Sequence, residues 1–473
     1  MTHSPRRFSR ILFLLPGPYV YEDRCQAYIR RGSLFSFREP VEEMAGAAVL
    51  QQRGAECAIL HPEASMWSRK RTLRAVADFA PDLIILSTTF PGHNEDLAWI
   101  KGIKAAVPAA RIAARGGQMA FVDAARLLER FPGLDGVLFG ETDQVLGSLD
   151  LEDPAGSPGV VWRNGDSLVR GPDPGLVSDI DGLPFPARAL VHQGNYPSPD
   201  TGRPMATVTA SRGCPRQCAF CLAPAVSGNR FRLRSPRTVA EEIQECRARF
   251  GVENFFLRAE DLASPREWTL GLCEELCRKA AGIRFVCAAR ADGLDADVAA
   301  ALSRAGCWGV SVGVESGSAR TLEQSKKALD PSAAFAAVEN CRSQGIVTLA
   351  YFLVGFPWET RRDVQATLRL AKNLKSPVTE IFFPYPYPGT GLYGLAKEAG
   401  LVNQDNPPRR SQQVPVFLPK DMTARELLSL RNRTRLAPGN LLRSAGAMLS
   451  QAEDLPSAAR ILRRLAGGWR AVL

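Results

Sequence analysis

Apolar and polar positions along this 473-residue chain follow two alternating periods. Short runs of Ile, Leu, Val and Ala at Arg10–Leu15, Glu56–Leu60, Asp82–Ser87, Arg111–Arg115 and Gly136–Phe139 predict buried strands. Between them a 3.6-residue period predicts helices over Val41–Gln52, Arg71–Phe79, Asn94–Val107 and Phe121–Phe131. Five such βα units imply an α/β unit over residues 1–150, a doubly wound parallel sheet covered on both faces. Ligands of such sheets lie beyond the carboxyl ends of the strands. There the chain turns small and polar: Ser87-Thr88-Thr89, Gly116-Gly117-Gln118 and Gly140-Glu141-Thr142. Loops of this kind let backbone amides approach a large polar ligand, and a following helix N-terminus favours its phosphate.

Residues 151–203 are rich in Pro, Gly and Asp and read as a linker holding one hairpin, with Asn164-Gly165 as its turn. From residue 204 the alternation restarts. Strands are expected at Ala206–Ala210, Asn254–Arg258, Arg284–Ala289, Trp308–Val314, Val347–Phe352 and Glu380–Pro384. Helix starts are marked by Ser235-Pro236, Ser264-Pro265, Asp295, Asp330-Pro331 and Thr360. Six βα repeats ending near residue 395 are too few to close an eightfold barrel. Residues 396–473 change character, with thirteen Lys and Arg against six Asp and Glu, most of the chain's net charge of +10. Arg425–Arg435 and Ala458–Leu465 read as amphipathic, Arg-rich helices. Such a region fits a solvated cap over the barrel mouth, an acidic substrate or a peripheral membrane contact. Apart from Phe417 its one aromatic residue is Trp469, so it lacks the stacking platforms of a nucleic-acid binder.

Composition adds little more. Hydrophobic content of 45% and charged content of 23% are those of a soluble globular protein. No apolar run reaches the length of a membrane span. The basic, then apolar, amino terminus is too short in its apolar part for a signal peptide, and Pro-Gly-Pro follows it. Eleven Cys without such a signal point to the reducing cytoplasm rather than to disulfides.

Three of those Cys stand apart. Gly213-Cys-Pro-Arg-Gln-Cys-Ala-Phe-Cys221 places Cys214, Cys218 and Cys221 in a C-x3-C-x2-C array. Three thiolates this close can hold three irons of a [4Fe–4S] cluster and leave the fourth open. Electron-carrying clusters normally take four Cys, and an open metal position is a place to bind something. A zinc knuckle is the alternative, but no His or further Cys lies between residues 222 and 245 to complete it.

The spacing, the preceding glycine and Phe220 before the third Cys resemble the signature of the radical S-adenosylmethionine (SAM) enzymes. That resemblance implies an open six-stranded partial barrel, with SAM chelated at the open iron and cleaved by one electron to a 5′-deoxyadenosyl radical. It also implies an electron donor such as flavodoxin or ferredoxin. The phrases GVESGS, GFPWET and PGTGLY resemble the subgroup that joins cobalamin or methylthiotransferase modules to the barrel. By position at strand ends, Glu260 and Asp261 would receive the methionine ammonium of SAM, and Arg290 a carboxylate or phosphate. Glu315 and Ser316 would hold ribose hydroxyls, and Gly355 would let adenine lie against backbone.

The first 150 residues resemble the cobalamin-binding domain that precedes many radical SAM domains, with PDLIILSTTFPGHNEDL and FPGLDGVLFGET as its third and fifth βα units. This implies cobalamin contacts from Ser87, Thr88, Gly116, Gly117, Gly140 and Glu141. The loop after the first strand, PGPYVYEDRCQ, lacks the histidine that coordinates cobalt in mutase-type domains. His61 and His93 sit at strand ends, where hydrogen-bonding or surface roles are expected. A flavodoxin-like sheet with another ligand remains the alternative. Together these readings imply a C-methyltransferase acting on an unactivated carbon of a small molecule or lipid, or else radical cyclisation or oxidation without methyl transfer. A tRNA methylthiotransferase would need three more Cys in the first unit, which offers only Cys25 and Cys57. A non-enzymatic Fe–S or corrinoid sensor would need no SAM pocket.

Overall fold

The computed structural model describes residues 7–17, 38–90, 92–402, 412–435, 437–451, 458–459 and 461–462. Cys25, nearly all of the loop after the first strand and half of residues 458–465 lie outside these residues.

Two parallel sheets organise the chain. The first contains β1 (Arg10–Leu14), β2 (Glu56–Leu60), β3 (Leu83–Ser87), β4 (Arg111–Arg115) and β5 (Gly136–Leu138), followed by β6 (Val160–Asn164) and β7 (Ser167–Arg170). Their spatial order is β2-β1-β3-β4-β5-β6-β7, so the five parallel strands have the flavodoxin-like order. Alternate residues of each strand feed two separate cores. Ile11, Phe13, Leu83 and Ile85 pack on one face beneath the helix Val41–Gln52. Leu12, Leu14, Ile84 and Leu86 pack on the other. This is the two-sided burial that makes parallel strands nearly continuous in apolar residues.

The hairpin expected in the linker is instead the antiparallel edge of this sheet, β6 pairing with β5. Its turn residues are Gly165 and Asp166, one place beyond the expected pair, because Asn164 still pairs with Ser167 and Gly165 takes the positive φ of +59°. Two expected helices are broken. His93–Leu97 and Ile100–Ala106 replace one continuous helix: Arg69 donates to the Ala98 carbonyl at 3.0 Å and stacks on Trp99. A 3-10 turn over Gly117–Phe121 precedes the helix Ala124–Arg130, whose start is fixed by the Asp123 carboxylate accepting the Arg126 N–H.

The second sheet holds β8 (Met205–Thr209), then, past a two-stranded ribbon of β9 (Ser211–Arg212) and β10 (Arg232–Leu233), β11 (Asn254–Arg258), β12 (Arg284–Arg290), β13 (Cys307–Glu315), β14 (Val347–Leu353) and β15 (Val378–Phe382). All six pair in parallel, in chain order from β8 to β15. Sequential order with a helix after most strands is that of a barrel left open at six strands. Ser235 caps the helix Pro236–Phe250, and Thr360 and Asp363 form a reciprocal capping box on Arg361–Asn373. The helix expected to open at Pro265 begins one residue later, with Pro265 as its cap.

An exposed β15 would leave a row of unpaired backbone groups. The helices Ala424–Arg435 and Pro438–Leu449 pack beside that strand instead. Leu427 is fully buried in the barrel core, Arg431 stacks on Phe383 and Arg435 pairs with Glu380 of β15 at 2.8 Å. Two arginines of the basic tail are thus turned inward. None of the helices among the described residues is long and apolar enough to cross a membrane. Leu427→Ala should destabilise the protein by about 2–5 kcal/mol in urea unfolding, the cost of a large-to-small change where the surroundings collapse only partly.

Candidate active site

The cysteine loop hangs between β9 and β10, which pair Arg232 with Arg212 and Leu233 with Ser211. Its geometry begins at Gly213, with φ at +82°. A Cβ there would lie 2.2 Å from the Arg230 carbonyl oxygen and 2.7 Å from that of Ser227, so glycine is required. The Cys214 N–H donates to the Gly228 carbonyl at 3.0 Å, and the Cys221 N–H to that of Cys218 at 3.0 Å. Two more backbone bonds dock the loop on the barrel: Ala219 N–H to the Ser325 carbonyl, 2.9 Å, and Leu392 N–H to the Ala219 carbonyl, 3.0 Å.

The three thiols lie within electrostatic reach of one another. Burial raises the pKa of all three, Cys221 being pushed up to about 12. Among the described residues no three metal-binding side chains converge on a single ion position. A cubane needs no such convergence, because each thiolate takes a different iron. The donor set on one loop therefore fits a [4Fe–4S] cluster with one iron lacking a protein ligand.

Glu260, Asp261, Arg290 and Glu315 come together around this loop, all four within electrostatic reach of Cys214 or Cys218. Three of them, Asp261, Arg290 and Glu315, also bond within the protein. One Asp261 oxygen accepts the Arg290 backbone N–H at 3.0 Å, tying the ends of β11 and β12. The Arg290 guanidinium is already forked onto Asp292, at 2.9 and 2.8 Å, and donates to the carbonyls of Lys327 and Ala328, each at 3.1 Å. It thereby organises the turn that follows the helix Ala319–Gln324.

That turn is strained, Lys326 and Ala328 both having positive φ. Its product is the position of Lys327, buried and 2.9 Å from Glu315. Glu315 itself has a φ of +65°, at the irregularity where β13 and β14 lose register. Gly313 leaves room for the pair, since a Cβ there would meet the Glu315 carboxylate at 2.6 Å. Burial lowers the pKa of the Lys327 ammonium, but Glu315 and Cys218 together more than offset this and the net shift is upward. A fixed positive charge therefore stands close to Cys218. Lys327 carried no sequence signal beyond its charge.

Ser316 faces elsewhere: its hydroxyl lies 2.8 Å from that of Thr367 and accepts the Ser318 N–H, joining β13 to the next helix. Gly355 has φ at +98°, and the space a Cβ would need is taken by Leu427 at 2.8 Å. Its N–H and that of Phe356 both donate to Glu359, at 2.6 and 3.0 Å. Burial pushes the Glu359 carboxyl up to about 7 against these bonds. Phe220 packs on Phe356, which stacks on Trp358 at 5.0 Å.

Across from the cluster loop stand the loops of the first sheet. Phe90 after β3, with Phe121 and Val122 after β4, packs with Leu222 and Val226, just past Cys221, and with Tyr385, Tyr387 and Tyr393 after β15. The carboxyl ends of both sheets therefore open towards one another. The Gly116-Gly117 turn stays close to backbone, a Cβ at Gly116 meeting the Thr88 carbonyl at 2.9 Å. The Thr88 hydroxyl donates to the Arg115 carbonyl at 2.9 Å. Ser87 and Glu141 are occupied inside the protein: Ser87 donates to Glu43 at 2.6 Å, and Glu141 takes the Arg232 fork at 2.6 and 2.7 Å. Gly140 is packed on Pro174. The Thr88 backbone is engaged as well, its N–H donating to the Arg115 carbonyl at 2.9 Å and its carbonyl accepting from Gln118 at 3.1 Å. His61 is buried, 3.4 Å from the Tyr196 hydroxyl, and burial lowers its pKa to about 3. The His93 Nδ1 lies 2.8 Å from the Phe90 carbonyl. Both are hydrogen-bonded interior groups.

Residues 208–371 match the profile of the radical SAM superfamily. The chain carries a radical SAM domain. An uncharacterized methyltransferase of Pyrococcus horikoshii is 26% identical over 311 residues, 65% of this chain and 67% of that protein. Cytidylyl-2-hydroxyethylphosphonate methyltransferase of Streptomyces wedmorensis is 23% identical and covers 85% and 84%. The radical SAM methyltransferase TsrM of Kitasatospora setae, solved with cobalamin and a [4Fe–4S] cluster bound, superposes with a TM-score of 0.65 at 18% identity, over 96% of this chain and 92% of that one. The shared fold thus extends through both sheets, well beyond the radical SAM domain itself.

Gly213→Ala should leave the cooperative unfolding of the barrel largely intact but lower iron content after anaerobic reconstitution at least fivefold, measured by iron and sulfide analysis. Glu359 should make stability pH-dependent. Its folded-state pKa of about 7 lies above the usual 4.5, so the folded protein binds the extra proton between these values. The Glu359 contribution to stability should then be fully present below about pH 4.5, fall by roughly 3 kcal/mol as pH rises through 7, and level off above. Thermal melts of Glu359→Gln against wild type across pH 4.5–8 should show this slope removed.

Proposed function

We propose that the protein is a cobalamin-dependent radical SAM C-methyltransferase acting on an unactivated carbon of a small molecule or lipid. The observation that carries the reading is the meeting of the two strand-end mouths at one aromatic cluster, with the cysteine loop on one side and the loops after β3 and β4 on the other. When bound, the cluster with SAM supplies a hydrogen-abstracting radical, and the corrinoid supplies the methyl group.

The chain's own residues do the rest. Cys214, Cys218 and Cys221 would hold three irons. Glu260, which neighbours the cluster loop, suits the methionine ammonium, while Lys327 balances charge beside Cys218 and keeps Glu315 in place. The Gly116-Gly117 turn, held beside Thr88, would bring backbone up to the corrinoid. Phe90, Tyr385 and Tyr387 are buried or nearly so, and such apolar walls keep water from a reactive carbon centre. Residues 1–150 would serve as the corrinoid domain and 204–395 as the radical SAM domain. A one-electron donor of the flavodoxin or ferredoxin class and the reducing cytoplasm suit this chemistry. Contact of the basic tail with a lipid surface would suit a lipid substrate.

Protein purified anaerobically from cells supplied with cobalamin should contain close to one corrinoid per chain by absorbance and mass spectrometry. It should also convert SAM to 5′-deoxyadenosine under reduction, and Cys218→Ala should abolish that conversion. Corrinoid-free protein with an intact cluster would sink the methyl-transfer reading.

A further inference from the structure

The two residues that bracket the cysteine loop are both arginines, and both are gripped by one short segment of the other sheet's mouth. Arg212, the last residue before Gly213, places its guanidinium on Asp143, Nη1 to Oδ1 at 2.9 Å and Nη2 to Oδ2 at 2.5 Å. Arg232, where the loop returns, forks onto Glu141 and donates to the Ser227 carbonyl within the loop at 2.8 Å. Arg212 also approaches Glu141 at 3.6 Å. Glu141 and Asp143 stand at the start of the helix Thr142–Ser148, directly after β5. Asp143, Glu141 and Arg232 are almost wholly buried, and Arg212 is largely so. The pairing of Arg212 with Arg232 in the ribbon brings two like charges side by side, and two facing carboxylates neutralise them.

We propose that Asp143 and Arg212 are positioning residues: with Glu141 and Arg232 they form a clamp by which the first domain sets the place of the cluster loop. Two planar forks fix direction as well as distance, which point charges would not. The other anchors of the loop, through Ser325 and Leu392, come from the barrel itself. The clamp is thus a tie from the opposite mouth to the base of the loop. This rests on the two-domain reading above for its meaning in catalysis, although the clamp itself involves only protein groups.

The test uses the full-length chain with its cluster reconstituted, in wild type, Asp143→Asn and the double variant Asp143→Asn/Arg212→Gln. The single variant leaves the largely buried Arg212 guanidinium with only Glu141, 3.6 Å away and shared with Arg232, and should lose stability. The double variant removes both charges and should regain most of that stability. Amide exchange of residues 212–232 should nevertheless stay at least tenfold faster than wild type in the double variant, with β3 and β11 unchanged. The electron paramagnetic spectrum of its reduced cluster with SAM should be broadened. In corrinoid-loaded protein, the dipolar coupling between cob(II)alamin and the reduced cluster should change from one distance to a spread. A double variant with wild-type loop exchange and wild-type cluster spectrum would overturn the clamp. Absence of corrinoid from wild type would count against the methyltransferase reading alone, since exchange and the cluster spectrum still decide the clamp.

Discussion

Everything in this molecule that can do chemistry depends on two sheets being held mouth to mouth, and buried arginine–carboxylate pairs hold them. Arg188, from the connecting segment, joins Glu39, just before the helix Val41–Gln52, to Glu242 of the barrel's outer layer. Arg258 at the end of β11 pairs with Glu42, and the Arg212 and Arg232 pairs lie beside the cysteine loop. Such pairs add little net stability, because desolvation cancels much of the Coulombic gain. Their value is angular. A purely apolar interface of the same area would permit sliding, whereas a forked guanidinium accepts one arrangement.

Inside the barrel the same economy recurs on a smaller scale. Arg290 spends its donors on Asp292 and two carbonyls, and in doing so stabilises a turn with two residues in the left-handed region. That turn delivers both the Ser325 carbonyl that docks the cluster loop and the Lys327 ammonium that faces it. Glu315 is held strained at a break in strand register by the same ammonium. Arg290, Asp261 and Ser316, all expected at a ligand, each also bond within the barrel.

Much of the architecture was legible in the sequence. Strand positions, the restart at residue 204, the six-unit count and the Cys214–Cys221 motif follow from periodicity and spacing, which are local properties. What escaped was non-local. The hairpin's membership of the first sheet depends on pairing between β5 and β6. The break at Ala98 depends on Arg69, nearly thirty residues earlier. Glu141 read as a ligand contact because it lies in a small polar loop at a strand end, yet its partner Arg232 is 91 residues away. A lone carboxylate at such a loop looks alike whether it awaits a cofactor or an arginine. Lys327 and Asp143 were missed for the same reason, since their importance lies wholly in what the fold sets opposite them.

The division of charge across the interface also has a history in time. Glu39, Glu42, Glu141 and Asp143 belong to the part of the chain made first, and their arginines come from the part made later. Asp143 precedes Arg212 by 69 residues, roughly 3–14 s of synthesis at typical elongation rates. During that interval the first sheet presents an acidic, hydrated mouth to the ribosome's surroundings. Those carboxylates meet their neutralising arginines only once the later part of the chain is made. The interface is therefore also a schedule, in which the earlier half cannot mistake itself for finished.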